Sequence, residues 1–138
     1  MARTEAFEWR SLHVDDAAVL DLPEVGERPG ATVGHPVESY LVVFETPGFE
    51  VGVWSCTPGT FPHRKKEGEH EAFTVLSGRG SITGSDGRVY PLAAGAVMTL
   101  PASWEGVWQL DEVLRKVYVT TRAADRPASR SDGPSPDE

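Results

Sequence analysis

The middle of the chain is divided into short apolar segments, and glycine, proline or an Asp-Gly pair ends almost every one of them. Segments of about four to eight residues that are rich in β-branched and aromatic side chains are typical of β-strands. Strands are therefore predicted at residues 39–45, 49–56, 71–76, 80–83, 88–92, 97–100, 104–110 and 112–121. Strands this short and this closely spaced favour an antiparallel sandwich or barrel.

The clearest turn joins the segment at 80–83 to the segment at 88–92. Its sequence, Gly84-Ser85-Asp86-Gly87, places an Asp-Gly pair between two short strands, which is a strong hairpin signal. No stretch of helical length repeats its apolar residues with the period of about 3.6 residues that marks an amphipathic helix. The predicted fold class is therefore all-β.

The 138 residues are enough for one domain, and the sequence divides into three parts. Residues 1–33 are predicted to be an N-terminal arm and loop, because the stretch from Pro23 onward is rich in glycine and proline. Residues 34–121 hold the predicted strands. Residues 122–138 carry no large apolar side chain, so this tail is predicted to be disordered.

Acidic residues outnumber basic ones, with 21 Asp and Glu against 13 Lys and Arg and a net charge of −8. Nucleic acids and anionic membranes bind clustered positive charge, so neither is predicted as a partner. The run Arg64-Lys65-Lys66 is followed at once by glutamates and is interpreted as a solvated loop. The single cysteine, Cys56, excludes an internal disulfide and predicts a reducing cytoplasm. No apolar run approaches the ~20 residues that span a bilayer.

Two glycine-framed blocks in the strand region resemble the paired motifs of the RmlC-like cupin superfamily. The first, GTFPHRKKEGEHEAFTVLSGRG, runs from Gly59 to Gly80, and the second, GAVMTLPASWEGVW, runs from Gly95 to Trp108. In cupins the first motif carries His-x-His followed by a glutamate, and the second motif carries a third histidine. Glu71 stands at the position of the motif glutamate.

The positions that depart from these motifs are those of the metal site. The His-x-His pair aligns with Arg64 and Lys66, or with Lys65 and Glu67, and Ser103 stands where the second motif has its histidine. The frame of the cupin barrel is therefore present, whereas most of its metal ligands are replaced.

Residues 34–121 resemble the small single-domain cupins that are grouped with the cupin half of ureidoglycine aminohydrolase and with the ethanolamine-utilisation cupins. The resemblance rests on residues 52–59, 76–80, Gly95, Pro101, Trp104, Gly106, Trp108 and 115–119. It implies a double-stranded β-helix, or jelly roll, that encloses a site for a small molecule. It also implies a homodimer formed through edge strands, which would cover an exposed sheet edge.

The metal site implied by the resemblance uses three histidines and one carboxylate. The best available ligands are His63, predicted to lie in a loop, and Glu71, because strand alternation turns His70 away from Glu71. A divalent metal is therefore not favoured, since even open zinc sites keep about three protein ligands. If a metal binds, His63 and Glu71 are its expected ligands; the sequence identifies no other cofactor.

The last predicted strand adds two further candidates, Lys116 and Tyr118, which alternation places on one face. Together with Glu71 they form a candidate catalytic trio for proton transfer on a small polar ligand. The alternative is a buried ion pair between Glu71 and Lys116 that Tyr118 caps, because structural ion-pair networks produce the same cluster.

Trp108 and His63 are the candidate ligand-binding residues. Trp108 lies just past the second motif, where its ring either stacks on a flat ligand at the floor of a pocket or fills the barrel core. His63, if it lies in a loop, reaches toward the mouth of the barrel.

Three functional hypotheses remain open. The first is a small-molecule-binding cupin without the usual metal centre, acting as an accessory or sensing protein or as a metal-free enzyme. The second, suggested by the resemblance, is a metal-dependent hydrolase or aminohydrolase of small nitrogenous metabolites. The third is an isomerase or lyase that uses Glu71, Lys116 and Tyr118. The replaced histidines favour the first hypothesis over the second.

Overall fold

The computed structural model describes residues 12–123, and every regular element among them is a β-strand. The strands are β1 (Glu24–Glu27), β2 (Val37–Thr46), β3 (Phe49–Cys56), β4 (Gly59–Arg64), β5 (Glu69–Ser77), β6 (Gly80–Gly84), β7 (Val89–Leu92), β8 (Val97–Leu100), β9 (Glu105–Leu110) and β10 (Leu114–Arg122). The predicted all-β class is confirmed. Over the same residues, no helix long and apolar enough to cross a membrane is present.

The strands form two antiparallel sheets. One has six strands in the order β1-β2-β3-β10-β5-β8, and the other has four in the order β4-β9-β6-β7. The side chains between the sheets make one apolar core, in which Phe61, Ile82, Leu100, Trp108 and Leu114 are each at most 1% exposed. This packing removes the apolar face of both sheets from water, which is the main favourable term in folding.

Burial alternates along the two strands that position the site. In β5 the buried residues are Glu71, Phe73 and Val75, and in β10 they are alternate residues from Leu114 to Thr120. The predicted alternation is therefore confirmed for both strands. Because β10 lies between β3 and β5, Lys116 pairs with Trp54 on one side and with Val75 on the other, so the inward side chains of all three strands face one space.

The predicted hairpin is also confirmed. Strands β6 and β7 pair in register from Gly80 with Leu92 to Thr83 with Val89. Gly87 closes the turn with a φ of 88°, a left-handed conformation that glycine adopts without strain.

Two strands lie where loops were predicted. Residues 59–64 form β4, so the expectation that His63 lies in a loop is wrong. β4 is an edge strand, which tolerates Pro62 because a sheet edge leaves backbone groups without a ladder partner. Residues 24–27 form β1, so the six-stranded sheet begins upstream of the predicted boundary at residue 34. The predicted tail falls almost entirely outside the described residues, and β10 continues to Arg122.

Candidate functional site

A cavity of about 530 Å³ lies between the two sheets, within the size range of small-molecule sites. Its wall combines aromatic rings with an equal number of positive and negative side chains. The cationic residues are Arg28, Lys65, Lys66 and Lys116, and the anionic residues are Glu38, Glu50, Glu69 and Glu71. The cavity is therefore polar and close to neutral overall.

Glu71 is held by two ammonium groups. Lys116 Nζ donates to Oε2 at 2.7 Å, and Lys65 Nζ donates to Oε1 at 3.1 Å. All three side chains are less than a tenth exposed. Lys65 also lies 3.6 Å from Glu69 Oε2, so positive and negative groups alternate along one wall of the cavity.

Lys116 is surrounded by aromatic faces on its remaining sides. Its Nζ lies 4.6 Å from the ring centroid of Trp54, 4.4 Å from that of Phe73 and 4.7 Å from that of Trp108. A desolvated ammonium is attracted to such faces by the ring quadrupole, which offsets part of the cost of its burial. The cage and Glu71 together hold the Lys116 side chain in one orientation.

The protonation of this pair follows from burial and from the neighbouring charges. Burial by itself raises the pKa of Glu71, but the ammonium groups of Lys116 and Lys65 outweigh it, so the pKa lies below its ordinary value. Burial lowers the pKa of Lys116, and Glu71 opposes this shift. Glu71 is therefore a carboxylate at neutral pH, and Lys116 releases its proton more readily than an exposed lysine.

His63 is half-buried on β4, and its orientation is fixed by Trp108. Trp108 Nε1 donates to His63 Nδ1 at 2.9 Å. Burial, followed by the positive charges of Arg28, Lys116 and Lys65, lowers the pKa of His63 to about 3. The imidazole is therefore neutral at physiological pH, and because Nδ1 accepts a hydrogen bond, Nε2 carries the ring hydrogen.

Trp108 lines the cavity but is almost completely buried in the core. Its ring is 1% exposed and packs against Phe61 and Phe73, with centroid distances of 5.9 Å and 5.5 Å. The ring therefore fills the core, which is one of the two predicted alternatives, and its stacking on a flat ligand stays a prediction. Its indole N–H instead orients His63, a contact that the sequence did not predict.

The structure does not bring the hydroxyl of Tyr118 to the Glu71–Lys116 pair. Tyr118 Oη donates to Glu50 Oε2 at 2.6 Å, and burial followed by this bond raises the pKa of the phenol. The predicted trio is thus divided into a Glu71–Lys116 pair and a separate Tyr118–Glu50 pair on the same cavity wall.

Three cationic residues of the cavity wall were missed at the sequence level: Arg28, Lys65 and Lys66. Lys65 was assigned to a solvated loop, but it is 8% exposed. It follows Phe61 and His63 at the strand period, and that alternation would have placed it inward. Arg28 follows β1 in a Gly/Pro-rich stretch, and nothing in the local sequence marks it. Its Nη1 donates to Glu38 Oε2 at 2.8 Å, and its guanidinium carbon lies 4.7 Å from the ring centroid of Phe61.

The donor set of the cavity does not fit the metal centre that the resemblance implies. Both oxygens of Glu71 already accept hydrogen bonds from ammonium groups, and His63 presents an N–H to the cavity in place of a lone pair. His70 is exposed, and its Nδ1 accepts a bond from the backbone of Ala102. Within residues 12–123, no group of three or more His, Cys, Asp or Glu side chains is placed to hold a metal ion.

Two antiparallel sheets that enclose an inward-facing pocket, with the motif glutamate on a central strand, define a cupin-type barrel. The sequence profile of the EutQ-like cupin domain matches residues 45–118. That span is more than half of the 138 residues, and the chain belongs to this family.

Solved structures support the same fold. EutQ from Clostridium difficile is 22% identical, with a TM-score of 0.55 over 64% of this chain and 70% of that one. A protein of unknown function from Pseudomonas syringae is 19% identical, with a TM-score of 0.67 over 77% and 46%. The polyketide cyclase RemF from Streptomyces resistomycificus is 19% identical, with a TM-score of 0.59 over 84% and 82%. No curated protein sequence matches the chain significantly. These likenesses establish the fold and leave the activity to be argued from the site.

Proposed function

We propose that the chain is a small-molecule-binding cupin that works without the usual metal centre, as an accessory or sensing protein or as a metal-free enzyme. The cavity is large enough for a metabolite, and its wall carries fixed donors and acceptors. The ammonium of Lys116 compensates the charge of Glu71, the carboxylate that a metal ion would otherwise neutralise.

The free, buried thiol of Cys56 supports a reducing compartment, the cytoplasm, and the net charge of −8 argues against nucleic-acid or membrane partners.

The observation that carries the proposal is that both carboxylate oxygens of Glu71 accept a hydrogen bond from a lysine ammonium. A divalent ion at this carboxylate would have to displace Lys116 at 2.7 Å and Lys65 at 3.1 Å, or sit beside two positive charges. Like charges at such distances repel strongly where water is excluded. Binding of a ligand through hydrogen bonds meets no such obstacle.

The competing proposal is a metal-dependent aminohydrolase of small nitrogenous metabolites, similar to ureidoglycine aminohydrolase. It requires the two lysines to withdraw and His63 to release its bond to Trp108. It therefore predicts a metal content close to stoichiometric and ligand binding that depends on that metal.

One experiment separates the two proposals. Untagged full-length protein is assayed for Fe, Mn, Ni and Zn, and after treatment with EDTA it is screened by thermal shift against small carboxylates, amides, amines and sugars. We expect sub-stoichiometric metal and at least one compound that raises the melting temperature of the EDTA-treated protein. The rise should disappear in Val42→Phe, which fills the cavity, and persist in the matched control Val89→Phe on the exposed face of β7. Stoichiometric metal, with binding only in its presence, would favour the aminohydrolase.

A further inference from the structure

Arg28 has hydrogen-bonding capacity that the protein does not use. Its Nη1 is taken by Glu38, and this leaves the edge of the guanidinium formed by Nε and Nη2. Nε is the one buried side-chain nitrogen or oxygen within residues 12–123 that has no partner. Buried donors are rarely left without an acceptor, so a ligand that offered acceptor atoms to this edge would be stabilised there. The two parallel N–H groups of such an edge match the two oxygens of a carboxylate.

His63 provides a second unused donor near this edge. Its Nδ1 is occupied by Trp108, so the Nε2 hydrogen is the one presented to the cavity. Arg28 and His63 line the same cavity, and the positive charge of Arg28 contributes, after burial, to the lowered pKa of the imidazole. The Trp108 bond and the contact of Arg28 with Phe61 hold both donors in place before any ligand arrives.

Each carboxylate of the same wall has at least one cationic or hydrogen-bonding partner. Glu71 is bound by two lysines, and Glu38 Oε2 accepts from both Arg28 and Trp54 Nε1. Glu50 accepts from Tyr118, and Glu69 lies beside Lys65. The bonds of Glu38 and Glu50 use one oxygen each, so acceptor capacity also remains on this wall. Beside Arg28 Nε and the His63 Nε2 hydrogen, however, the unused groups are donors, which suits a ligand that presents acceptor oxygens.

We propose that the ligand of this pocket is a small organic carboxylate, bound through its two oxygens by the free edge of Arg28 and by His63 Nε2. The inference rests on the proposed function and names the class of ligand that it would take. A single negative charge fits better than a phosphate dianion, because the four cations of the wall are balanced by four glutamates.

The test uses EDTA-treated, full-length protein and matched probes. Acetate and benzoate are compared with acetamide and benzamide, which have nearly the same shape but no charge, and inorganic phosphate is the dianionic comparison. Binding is followed by NMR through the Arg28 Nε–H and the His63 ring N–H. We expect the carboxylates to shift both signals and to bind at least about tenfold more tightly than their amides, since a charged hydrogen bond is worth more than a neutral one.

Two variants remove the proposed contacts without stranding their neighbours. Arg28→Met with Glu38→Gln removes the guanidinium and leaves an acceptor for Trp54, and His63→Asn keeps an oxygen for Trp108 while withdrawing the Nε2 donor. Each should weaken carboxylate binding by about tenfold or more. The matched control, Arg64→Met with Glu105→Gln, removes an exposed pair on β4 and β9 and should leave binding unchanged.

Each outcome has one meaning. Equal binding of carboxylate and amide, tighter binding of phosphate, or unchanged binding in the Arg28 variant overturns the carboxylate assignment. If amines or sugars bind in the cavity of the metal-free protein, the proposed function survives and this inference fails. If nothing binds there without a metal, both fail. Because the NMR shifts are read in the unmodified protein, the inference remains testable even where a variant does not fold.

Discussion

At the scale of single residues, the Lys116–Glu71–Lys65 cluster presents the clearest energetic problem. Each charge removed from water costs several kcal/mol, and that cost is recovered only when partners and geometry are good. Glu71 supplies the partner for both lysines, and the rings of Trp54 and Phe73 stabilise the ammonium of Lys116. The cluster is therefore expected to be stable as a unit and sensitive to the loss of its one carboxylate.

Glu71→Gln should leave the Lys116 ammonium without a carboxylate partner and destabilise the fold by roughly 3–5 kcal/mol. Adding Lys116→Met should recover much of that loss, because Lys65 keeps Glu69 as a partner at 3.6 Å. Urea unfolding of the single and double variants measures both effects. Glu105→Gln, which breaks the exposed pair with Arg64, is the control and should change stability by less than about 1 kcal/mol. Single variants that are each neutral, with a double that simply adds, would show that the two groups are solvated and separate.

The neutral imidazole of His63 should make stability depend on pH. Its pKa is lowered from 6.5 to about 3 on folding, so between these values the unfolded chain binds a proton that the folded chain does not. The contribution of the neutral His63 to the free energy of unfolding is therefore fully present above pH 6.5 and is lost as the pH falls toward 3. His63→Asn should reduce the loss between about pH 7 and about pH 5 by up to about 2 kcal/mol in urea unfolding. A pH of 5 is still above the ordinary pKa of a glutamate, and the pKa of Glu71 is lowered further. Glu71 therefore adds little to the change in stability between pH 7 and pH 5. A variant with the same pH dependence as the wild type would assign the effect to another group.

The sequence predicted part of the site, and the rest depends on contacts between distant segments. Glu71 and Lys116 could be placed on one side of the barrel because strand alternation and the motif spacing both apply to them. Lys65 was missed because β4, the strand that directly precedes it, was read as a loop. The roles of Arg28 and Trp108 depend on partners 10 and 45 residues away, and no local pattern encodes such pairs.

At the scale of strands, apolar segments were predicted well and polar ones were not. Strands β3 and β8 have the predicted bounds, because β-branched or aromatic residues fill them and turns flank them. β4 contains Pro62 and Arg64, and β1 contains Gly26, so their propensities favour loops. Both lie at the edges of their sheets, where pairing with one neighbour overrides local propensity.

The motif glycine Gly78 should tolerate no side chain. It has a φ of 98°, and a Cβ there would collide with the backbone oxygen of Val113. Gly87 in the hairpin has a φ of 88° but open space around its Cα, so it is the matched control. Gly87→Ala should cost about 1–2 kcal/mol from the backbone conformation alone, and Gly78→Ala about 3 kcal/mol or more. Equal losses of unfolding free energy would mean that the β5–β6 turn can move away from Val113.

At the scale of the whole molecule, the strand count and turn spacing predicted an antiparallel sandwich or barrel, and the glycine-framed motifs narrowed the predicted fold to a cupin. The order of strands within the sheets was not predicted and comes from the structure. The six-stranded sheet has two open edges within the described residues, β1 and β8. Unpaired edges favour association with another chain unless a bulge or a charge protects them. The position of the interface in the predicted homodimer therefore depends on which of these edges is unprotected.

We expect the homodimer to form through β8. The register of β1 against β2 is irregular between Glu24 and Gly26, and such irregularities protect an edge, whereas β8 pairs regularly with β5 and exposes 72% of Val97. Val97→Lys with Thr99→Lys would place like charges opposite each other across the two-fold and should dissociate the dimer. Val25→Lys, on the other edge, is the control and should leave it intact. Light scattering coupled to gel filtration gives the mass of each species. A monomeric wild type would contradict the prediction outright. If only Val25→Lys dissociates the dimer, the interface lies at β1 instead of β8.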